Sequence, residues 1–326
     1  MAENKIVGMT TMIPVEPILA AGLTPLDLNN VFINRHDPAA LIASAESEGL
    51  PRNICSWVKG VYAVTRLMGL KRVVIPLPGD CSNCVSLGEI FEFLGIDVYF
   101  FSYPRSKSAG ELRQEIDRFS SYLGVTYSQA EAVFFDLLPL RHRLQEIDAM
   151  VYTLKSIHSR QYFDLLVSSS DFGGDPESFR KKLELVYQPE NESEKKIPIG
   201  LTGVPPIMDD LLEVLENLGA RVVFCEIPRQ FSLGSDLTGF INAYLHYTYP
   251  YSVMNRIADI KKESRIRKLR GLVHYLQSFC HRQLEPFIMR RELKLPTLYL
   301  EGEQPGKVSP QQLMRLEAFV ATLSEN

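Results

Sequence analysis

The fold is decided most clearly by residues 197–225, which read IPIGLTGVPPIMDDLLEVLENLGARVVFC. A β-rich run, Ile197–Leu201, precedes a turn with two consecutive prolines, which are well placed to begin a helix. Helical apolar spacing then covers Ile207–Leu218, Gly219 ends that helix, and a second β-rich run covers Arg221–Cys225. This order predicts a βαβ unit, in which a helix joins two parallel strands.

The same alternation continues along the chain in both directions. Further runs with strand character are Lys5–Thr10, Leu23–Leu28, Lys71–Pro76, Asp97–Ser102, Gly271–Phe279 and Thr297–Leu300. Helical patterns separate most of them, which favours mostly parallel sheets covered by helices. We therefore predict an α/β fold with two doubly wound lobes, each Rossmann-like or flavodoxin-like with a parallel sheet.

Two segments suggest how the lobes divide. A long helical stretch from Ala109 to about Val167 reads as an insertion, and a polar run, Gln188–Lys196, reads as a linker. We therefore expect an N-terminal α/β lobe over residues 1–192, which includes the helical insertion, and a C-terminal α/β lobe over residues 193–326.

Composition restricts the function classes. The chain has 326 residues, a net charge of -4 and a pI of about 5.9, so it lacks the basic footprint of a nucleic-acid-binding protein and a polybasic membrane patch. No apolar run reaches membrane-spanning length, and no signal peptide is evident, so we expect a cytoplasmic protein. The glycine-rich dinucleotide fingerprint and the phosphate-binding loop are both missing from the sequence.

The five cysteines are the most informative side chains. Cys55, Cys81, Cys225 and Cys280 each lie where a predicted strand or turn gives way to the next element, and such ends face ligands in a parallel α/β sheet. Thiolates gathered from distant segments are typical of iron–sulfur ligation. The N-terminal lobe would carry Cys55 and Cys81, and the C-terminal lobe would carry Cys225 and Cys280.

Cys84 forms a Cys-x-x-Cys pair with Cys81. Such a pair can serve zinc, an iron–sulfur cluster or dithiol redox chemistry. Zinc is disfavoured because no second Cys-x-x-Cys or His pair completes a tetrahedral set. Inert packing remains an alternative for every cysteine, since free cysteines are often buried.

Several motifs together resemble the 2-hydroxyacyl-CoA dehydratase and benzoyl-CoA reductase family, and in particular its D-component-like iron–sulfur subunit. The Pro14–Pro25 segment is similar to the opening motif of that family, Cys55 and the Cys81 segment to its first two cluster cysteines, and Gly271–Cys280 to the strand that ends in the third. Leu298–Glu303 and Arg315–Phe319 resemble its terminal strand and helix.

The resemblance implies a [4Fe-4S] cluster held by Cys55, Cys81 and Cys280, with one iron open. It also implies an ATP-hydrolysing iron–sulfur activator that supplies electrons at low potential, a homologous subunit in a homodimer or heterodimer, and dehydration of an acyl-CoA through a ketyl radical. Cys84 and Cys225 would be possible extra ligands. A double cubane with three thiolates per cluster would need six cysteines, one more than the chain has, so one cubane is favoured.

Two further residues are candidates for proton transfer. Glu16 lies between two prolines and could act as a proton relay or could simply favour the helix that follows. His281 adjoins Cys280 and could tune a cluster or move a proton. Besides an enzyme, the sequence allows a non-catalytic electron-relay or scaffold subunit with four thiolates, a double-cubane-type small-molecule reductase, and a metal-free binding protein.

Overall fold

Two parallel sheets form the framework of the protein. We examined it in a computed structural model, which describes residues 5–153, 157–186, 196–234 and 236–325. The first sheet contains β1 (Ile6–Met9), β2 (Thr24–Asp27), β3 (Arg72–Pro76) and β4 (Asp97–Phe101); the second contains β5 (Ile197–Gly203), β6 (Ala220–Cys225), β7 (Gly271–Gln277) and β8 (Thr297–Gly302). The predicted two-lobed parallel α/β fold is confirmed.

Both sheets have the same strand order. It is β2-β1-β3-β4 in the first and β6-β5-β7-β8 in the second, and all pairs are parallel. After β1 the chain forms β2 on one side of that strand and later forms β3 on the other side. In the second sheet, β6 and β7 flank β5 in the same way. Such a reversal opens a crevice at the carboxyl ends of the two central strands, which is where doubly wound proteins bind ligands.

Helices cover the sheets. Those of the first lobe are α1 (Glu16–Ala20), α2 (Leu28–Ile33), α3 (Pro38–Ser47), α4 (Ser56–Leu67) and α5 (Ser82–Phe93). The insertion contains α6 (Ala109–Tyr122), α7 (Tyr127–Thr153), α8 (Ser159–Ser168) and α9 (Pro176–Glu184). The second lobe adds α10 (Leu211–Asn217), α11 (Glu226–Phe231), α12 (Phe240–Leu245), α13 (Val253–Ile266), α14 (Pro286–Glu292) and α15 (Pro310–Glu325).

The predicted stretch from Ala109 to about Val167 is helical over most of its described residues. It divides into α6, α7 and α8, and Gly124, with φ of +79°, ends the first of them in the left-handed conformation that glycine adopts easily. The helix predicted from Ile207 begins only at Leu211, because Met208 instead forms a β-bridge with Gly306.

The helical insertion contacts both lobes. Helix α7 packs against α1 of the first lobe, whereas α8 packs against β6, α10 and α11 of the second. The predicted linker Gln188–Lys196 and the predicted boundary between residues 192 and 193 lie almost wholly outside the described residues, so that division stays a prediction. Within the described ranges, no helix is both long enough and apolar enough to cross a membrane.

Gly203 provides a test of this packing. It ends β5 with φ of +90°, and a Cβ atom there would lie 2.2 Å from the Tyr275 carbonyl oxygen. We expect Gly203→Ala to lower the free energy of unfolding by at least about 2 kcal/mol, from left-handed strain plus overpacking. Gly219 has the same φ of +90° with nothing within 4 Å of its Cβ position, so Gly219→Ala measures the strain alone. Equal losses in urea unfolding would contradict the close approach at Gly203.

Candidate functional site

A cavity of about 390 Å³ lies between the two lobes. It is lined by the carboxyl ends of both sheets, including Thr10 after β1 and Val204 after β5. Cys55, Cys81 and Cys280, which are far apart in sequence, all line it. The strand order explains this meeting, because Cys81 follows β3 and Cys280 follows β7, and these are the second strands of the two crevices.

Each cysteine begins a helical element. Cys55 is the N-cap residue of α4, Cys81 is that of α5, and Cys280 precedes a short 3-10 helix, His281–Leu284. The first N–H groups of a helix have no partner within it and carry partial positive charge, which favours an anion such as a thiolate. The residue before Cys280, Phe279, adopts φ of +61°, so this turn is held in a conformation that is unusual for a bulky side chain.

Cys81 has the strongest perturbation toward the thiolate. Hydrogen bonds from the Cys84 thiol, from His281 and from the backbone N–H groups of Asn83 and Cys84 lower the pKa of Cys81 to about 4. The hydrogen bond between the two thiols has the opposite effect on Cys84, because donation to Cys81, together with burial, raises the pKa of Cys84. Cys81 is therefore ionised at neutral pH and Cys84 is a neutral thiol.

His281 supplies the balancing charge. Its ring is hydrogen-bonded to Cys280 and to Cys81, and these bonds raise the pKa of His281 to about 9. An imidazolium at neutral pH donates from both ring nitrogens. It therefore stabilises negative charge on sulfur atoms contributed by both lobes.

Cys55 lies in a drier environment. Burial, followed by the charge of Cys280, raises the pKa of Cys55 to about 12. Its sulfur nevertheless accepts hydrogen bonds from the backbone N–H groups of Trp57 and Val58 at the start of α4. Ionisation of this thiol therefore requires an additional positive charge in the cavity, such as a bound metal centre.

Two carboxyl groups in the cavity were not predicted. Asp80 precedes Cys81 and accepts a short hydrogen bond from the Thr10 hydroxyl, and burial raises the pKa of Asp80 to about 7. Asp27 caps α2 by accepting from the Asn29 N–H at 3.0 Å and also accepts from the Ser170 hydroxyl at 2.7 Å. Both follow strands, so the rule that singled out the cysteines applied equally to these aspartates.

The rest of the cavity has an apolar interior and a charged mouth. Buried wall residues include Val58, Val61, Leu212, Ile227 and Phe231. Exposed or half-exposed charged residues lie at the mouth and include Arg160, Asp164, Lys182 and Asp209. Arg160 is engaged there, because it donates to Asp164 at 2.9 Å and to the Asp209 carbonyl at 2.7 Å.

Glu16 is not among the residues that line the cavity. It is fully buried, and its two carboxylate oxygens accept from Arg141 at 2.5 Å and from the Tyr244 hydroxyl at 2.8 Å. These partners come from α7 and α12, so Glu16 ties the first lobe to the insertion and to the second lobe. This arrangement gives Glu16 a structural position.

Cys225 is also separate from the other cysteines. It is fully buried at the end of β6, which is an edge strand, and burial raises the pKa of its thiol. It is not among the cavity-lining residues, whereas Cys84 is. The Cys225 thiol instead lies near Asp148 and Arg267, on a side of β6 that does not face the cavity, because successive side chains of a strand point to opposite faces of the sheet.

The cavity-lining thiols of Cys55, Cys81 and Cys280 are the side chains that could hold a metal centre. No group of three His, Cys, Asp or Glu side chains in the described ranges is arranged to hold one metal ion. The ligands of a cubane bind different irons and need not converge on one point. The buried indole N–H of Trp57, which lines the cavity, has no hydrogen-bond partner within the described structure, and a donor of this kind can serve cluster sulfides.

Comparison with known proteins identifies a family. A family model described as 2-hydroxyglutaryl-CoA dehydratase, D-component, matches residues 10–323. A search of curated proteins gave no match. The matched range contains every residue of the cavity described above.

The Cys81 environment predicts unusual thiol chemistry in metal-free protein. Since its pKa is about 4 and the thiolate is the nucleophile, Cys81 should be alkylated by iodoacetamide at pH 6 at least ~10-fold faster than Cys55. Cys84→Ala removes the main donor and should slow the reaction at pH 5. Peptide mass spectrometry measures both rates. A Cys81 rate that falls tenfold for each pH unit below 8, as for an ordinary thiol, would contradict the assignment.

Proposed function

The chain belongs to the 2-hydroxyglutaryl-CoA dehydratase D-component family, and on that premise we propose that it is the iron–sulfur subunit of a low-potential 2-hydroxyacyl-CoA dehydratase. One [4Fe-4S] cluster would be bound by Cys55, Cys81 and Cys280. The observation that carries this proposal is that these three thiols, from three distant segments, line one cavity between the lobes.

The chemistry of the donor set supports a cluster. When bound, such a cluster supplies one-electron reduction and an iron that can accept an oxygen ligand. The chain itself supplies the helix N-termini of α4 and α5 and the donor N–H groups of His281, which stabilise thiolate charge. The apolar wall limits the access of water to the reacting group.

Proton handling falls to two groups beside the thiols. His281 holds a proton at neutral pH because its pKa is about 9, and it would donate that proton to a hydroxyl that leaves as water after one of its bonds to Cys280 or Cys81 is exchanged for the substrate. Asp80, with a pKa of about 7, can hold or release a proton at its carboxyl oxygens near the same thiols. Glu16 has no role in this step, since Arg141 and Tyr244 occupy its carboxylate.

We further propose that the remaining dehydratase components act in trans. A D-component belongs to a multicomponent dehydratase, and the partners we propose are an ATP-hydrolysing iron–sulfur activator and a homologous subunit. The substrate would enter through the mouth near Arg160 and Lys182 and place its acyl group against the apolar wall.

A second function is favoured by one observation. Cys84 lines the cavity beside Cys81, so it could supply a fourth thiolate to a closed cluster in an electron-relay or scaffold subunit. Such a cluster would have no open iron. Cys225 does not suit this role, because it is buried at the sheet edge.

Iron and sulfide analysis tests the ligand set. After anaerobic reconstitution we expect ~4 irons and ~4 sulfides per chain in the wild type, as one cubane requires, and a loss of most of this content in Cys55→Ala, Cys81→Ala and Cys280→Ala. Cys225→Ala is the matched control and should keep a full cluster. Colourless wild-type protein after reconstitution would refute the proposal.

Cys84→Ala separates the two functions. If the cluster has three thiolates, this variant should retain its iron content, and the reduced-state EPR spectrum of the wild type should shift when an acyl-CoA is added. A fourth thiolate would instead make Cys84→Ala lose iron or change its EPR spectrum without substrate, and the wild-type spectrum would not respond to acyl-CoA.

The cavity also predicts a preference for the acyl group. The cationic residues Arg160 and Lys182 lie at its mouth, while the interior has apolar walls and the carboxyl groups of Asp27 and Asp80. A second carboxylate inside would be buried beside Asp27 and Asp80, while the His281 imidazolium is already hydrogen-bonded to Cys81 and Cys280, so 2-hydroxyglutaryl-CoA should bind at least ~10-fold more weakly than 2-hydroxyhexanoyl-CoA. Calorimetry on cluster-loaded protein measures both. Leu212→Lys adds a cation to the interior and should reduce the difference between the two dissociation constants. If the wild type bound 2-hydroxyglutaryl-CoA more tightly than 2-hydroxyhexanoyl-CoA, the prediction would be contradicted.

A further inference from the structure

Arg282 is a buried cation at the junction of the two lobes. It lies two residues after Cys280 in the 3-10 helix His281–Leu284 and is only 8% exposed. Its guanidinium carbon lies 3.8 Å from the ring centre of Tyr249, which itself lines the cavity. A planar guanidinium can stack in this way and still donate in several directions.

The guanidinium contacts backbone in both lobes. Its Nη2 donates to the carbonyl of Tyr249 at 2.8 Å and lies 3.5 Å from the carbonyl of Gly79. Gly79 lies two residues before Cys81 and adopts φ of +138°, a conformation that only glycine adopts without strain. Arg282 therefore links the turn that carries Cys280 to the loop that carries Cys81.

The other side of Arg282 is anchored in the second lobe. Its Nη1 donates to Glu285 at 2.7 Å, and Glu285 also accepts a short hydrogen bond from Arg256. Arg256 in turn donates to Glu226 at 2.5 Å and 3.0 Å, and Glu226 accepts from the Gly203 N–H at 2.9 Å. This series of alternating charges extends from the end of β5 to the cysteine-bearing turn.

We propose that Arg282 is a positioning residue that fixes the separation of Cys81 from Cys280 across the lobe boundary, so that both sulfurs can bind one cluster. The purpose of this positioning rests on the proposed function, but the relative position of Cys81 and Cys280 can be measured in metal-free protein. Arginine suits the position because only its forked donors can reach Glu285 and the two backbone carbonyls together. A lysine ammonium group in its place would keep the positive charge but could not donate to all three of these acceptors.

Cross-linking of metal-free protein tests the geometry directly. Dibromobimane joins two thiols only when they lie close together. All proteins compared, including the one called wild type, carry Cys84→Ala, because the Cys84 thiol is hydrogen-bonded to Cys81 and would compete for the reagent, and peptide mass spectrometry would quantify the Cys81–Cys280 product. We expect the wild type to form it, Arg282→Gln to form about tenfold less, as for the loss of a network of charge-assisted hydrogen bonds, and Arg282→Lys to give an intermediate yield. Arg291→Gln is the matched control, since Arg291 is exposed on the neighbouring α14, and should behave as the wild type.

Two measurements on the same proteins complete the test. Circular dichroism and urea unfolding report whether each variant is folded, and Arg282→Lys keeps the test decisive if Arg282→Gln is unfolded. In reconstituted protein, the rate of iron loss to a chelator should rise and the EPR lines should broaden in Arg282→Gln more than in Arg282→Lys.

The outcomes separate the two proposals. Wild-type yields of cross-link in both Arg282 variants, or no cross-link in the wild type, would overturn the positioning role. A cross-link that forms in the wild type and weakens in the variants supports it, even if reconstitution fails. In that case the cluster assignment, and not the positioning of the thiols, would be wrong.

Discussion

The site depends on one topological constraint, which is that the strand order reverses at the first strand of each sheet. β1 lies between β2 and β3, and β5 lies between β6 and β7. Each lobe therefore opens a crevice at the carboxyl ends of its two central strands. The lobes face each other with these crevices, and the residues after β1, β3, β5 and β7 therefore line a common cavity. Cysteines separated by more than two hundred residues meet there without any local sequence relationship.

Electrostatics then distinguishes two thiols, Cys81 and Cys55, that the sequence presents as equivalent. Cys81 receives a thiol, an imidazolium and two backbone donors, while Cys55 receives backbone donors in a desolvated setting, so their pKa values shift in opposite directions. Cys81 is therefore a thiolate paired with the His281 imidazolium, whereas Cys55 stays a neutral thiol at neutral pH. His281 belongs to both halves of this arrangement, since it bonds to a sulfur from each lobe.

The sequence predicted the fold better than it predicted the helical insertion. Strand runs such as Arg221–Cys225 were readable because β-branched residues are flanked by glycine and polar turns. The insertion was harder, since its break depends on Gly124 in a left-handed conformation and its partners lie in both lobes. The strand-end rule located Cys81 and Cys280 in the cavity, whereas Cys55 follows a loop after α3 and reaches the cavity at the start of α4. The rule could not separate Cys225 from them, because a run of strand residues does not show which face of the sheet its last side chain will occupy. It was also not applied to Asp27 and Asp80, which occupy equivalent strand ends.

Buried charged groups help to explain why a site shared by two lobes can have a defined shape. Glu16 with Arg141, and Glu226 with Arg256, are desolvated pairs, and such pairs contribute little net stability, because the cost of removing charges from water offsets most of their attraction. Breaking one is nevertheless expensive, since it leaves an uncompensated charge. A relative movement of the lobes that separated Glu16 from Arg141 or Tyr244 would incur that cost, whereas an apolar interface could slide with little penalty. The hydrogen bonds of Glu16 to Arg141 of the insertion and to Tyr244 of the second lobe therefore restrict the relative movement of these parts, and the cavity that Cys55, Cys81 and Cys280 line keeps its shape.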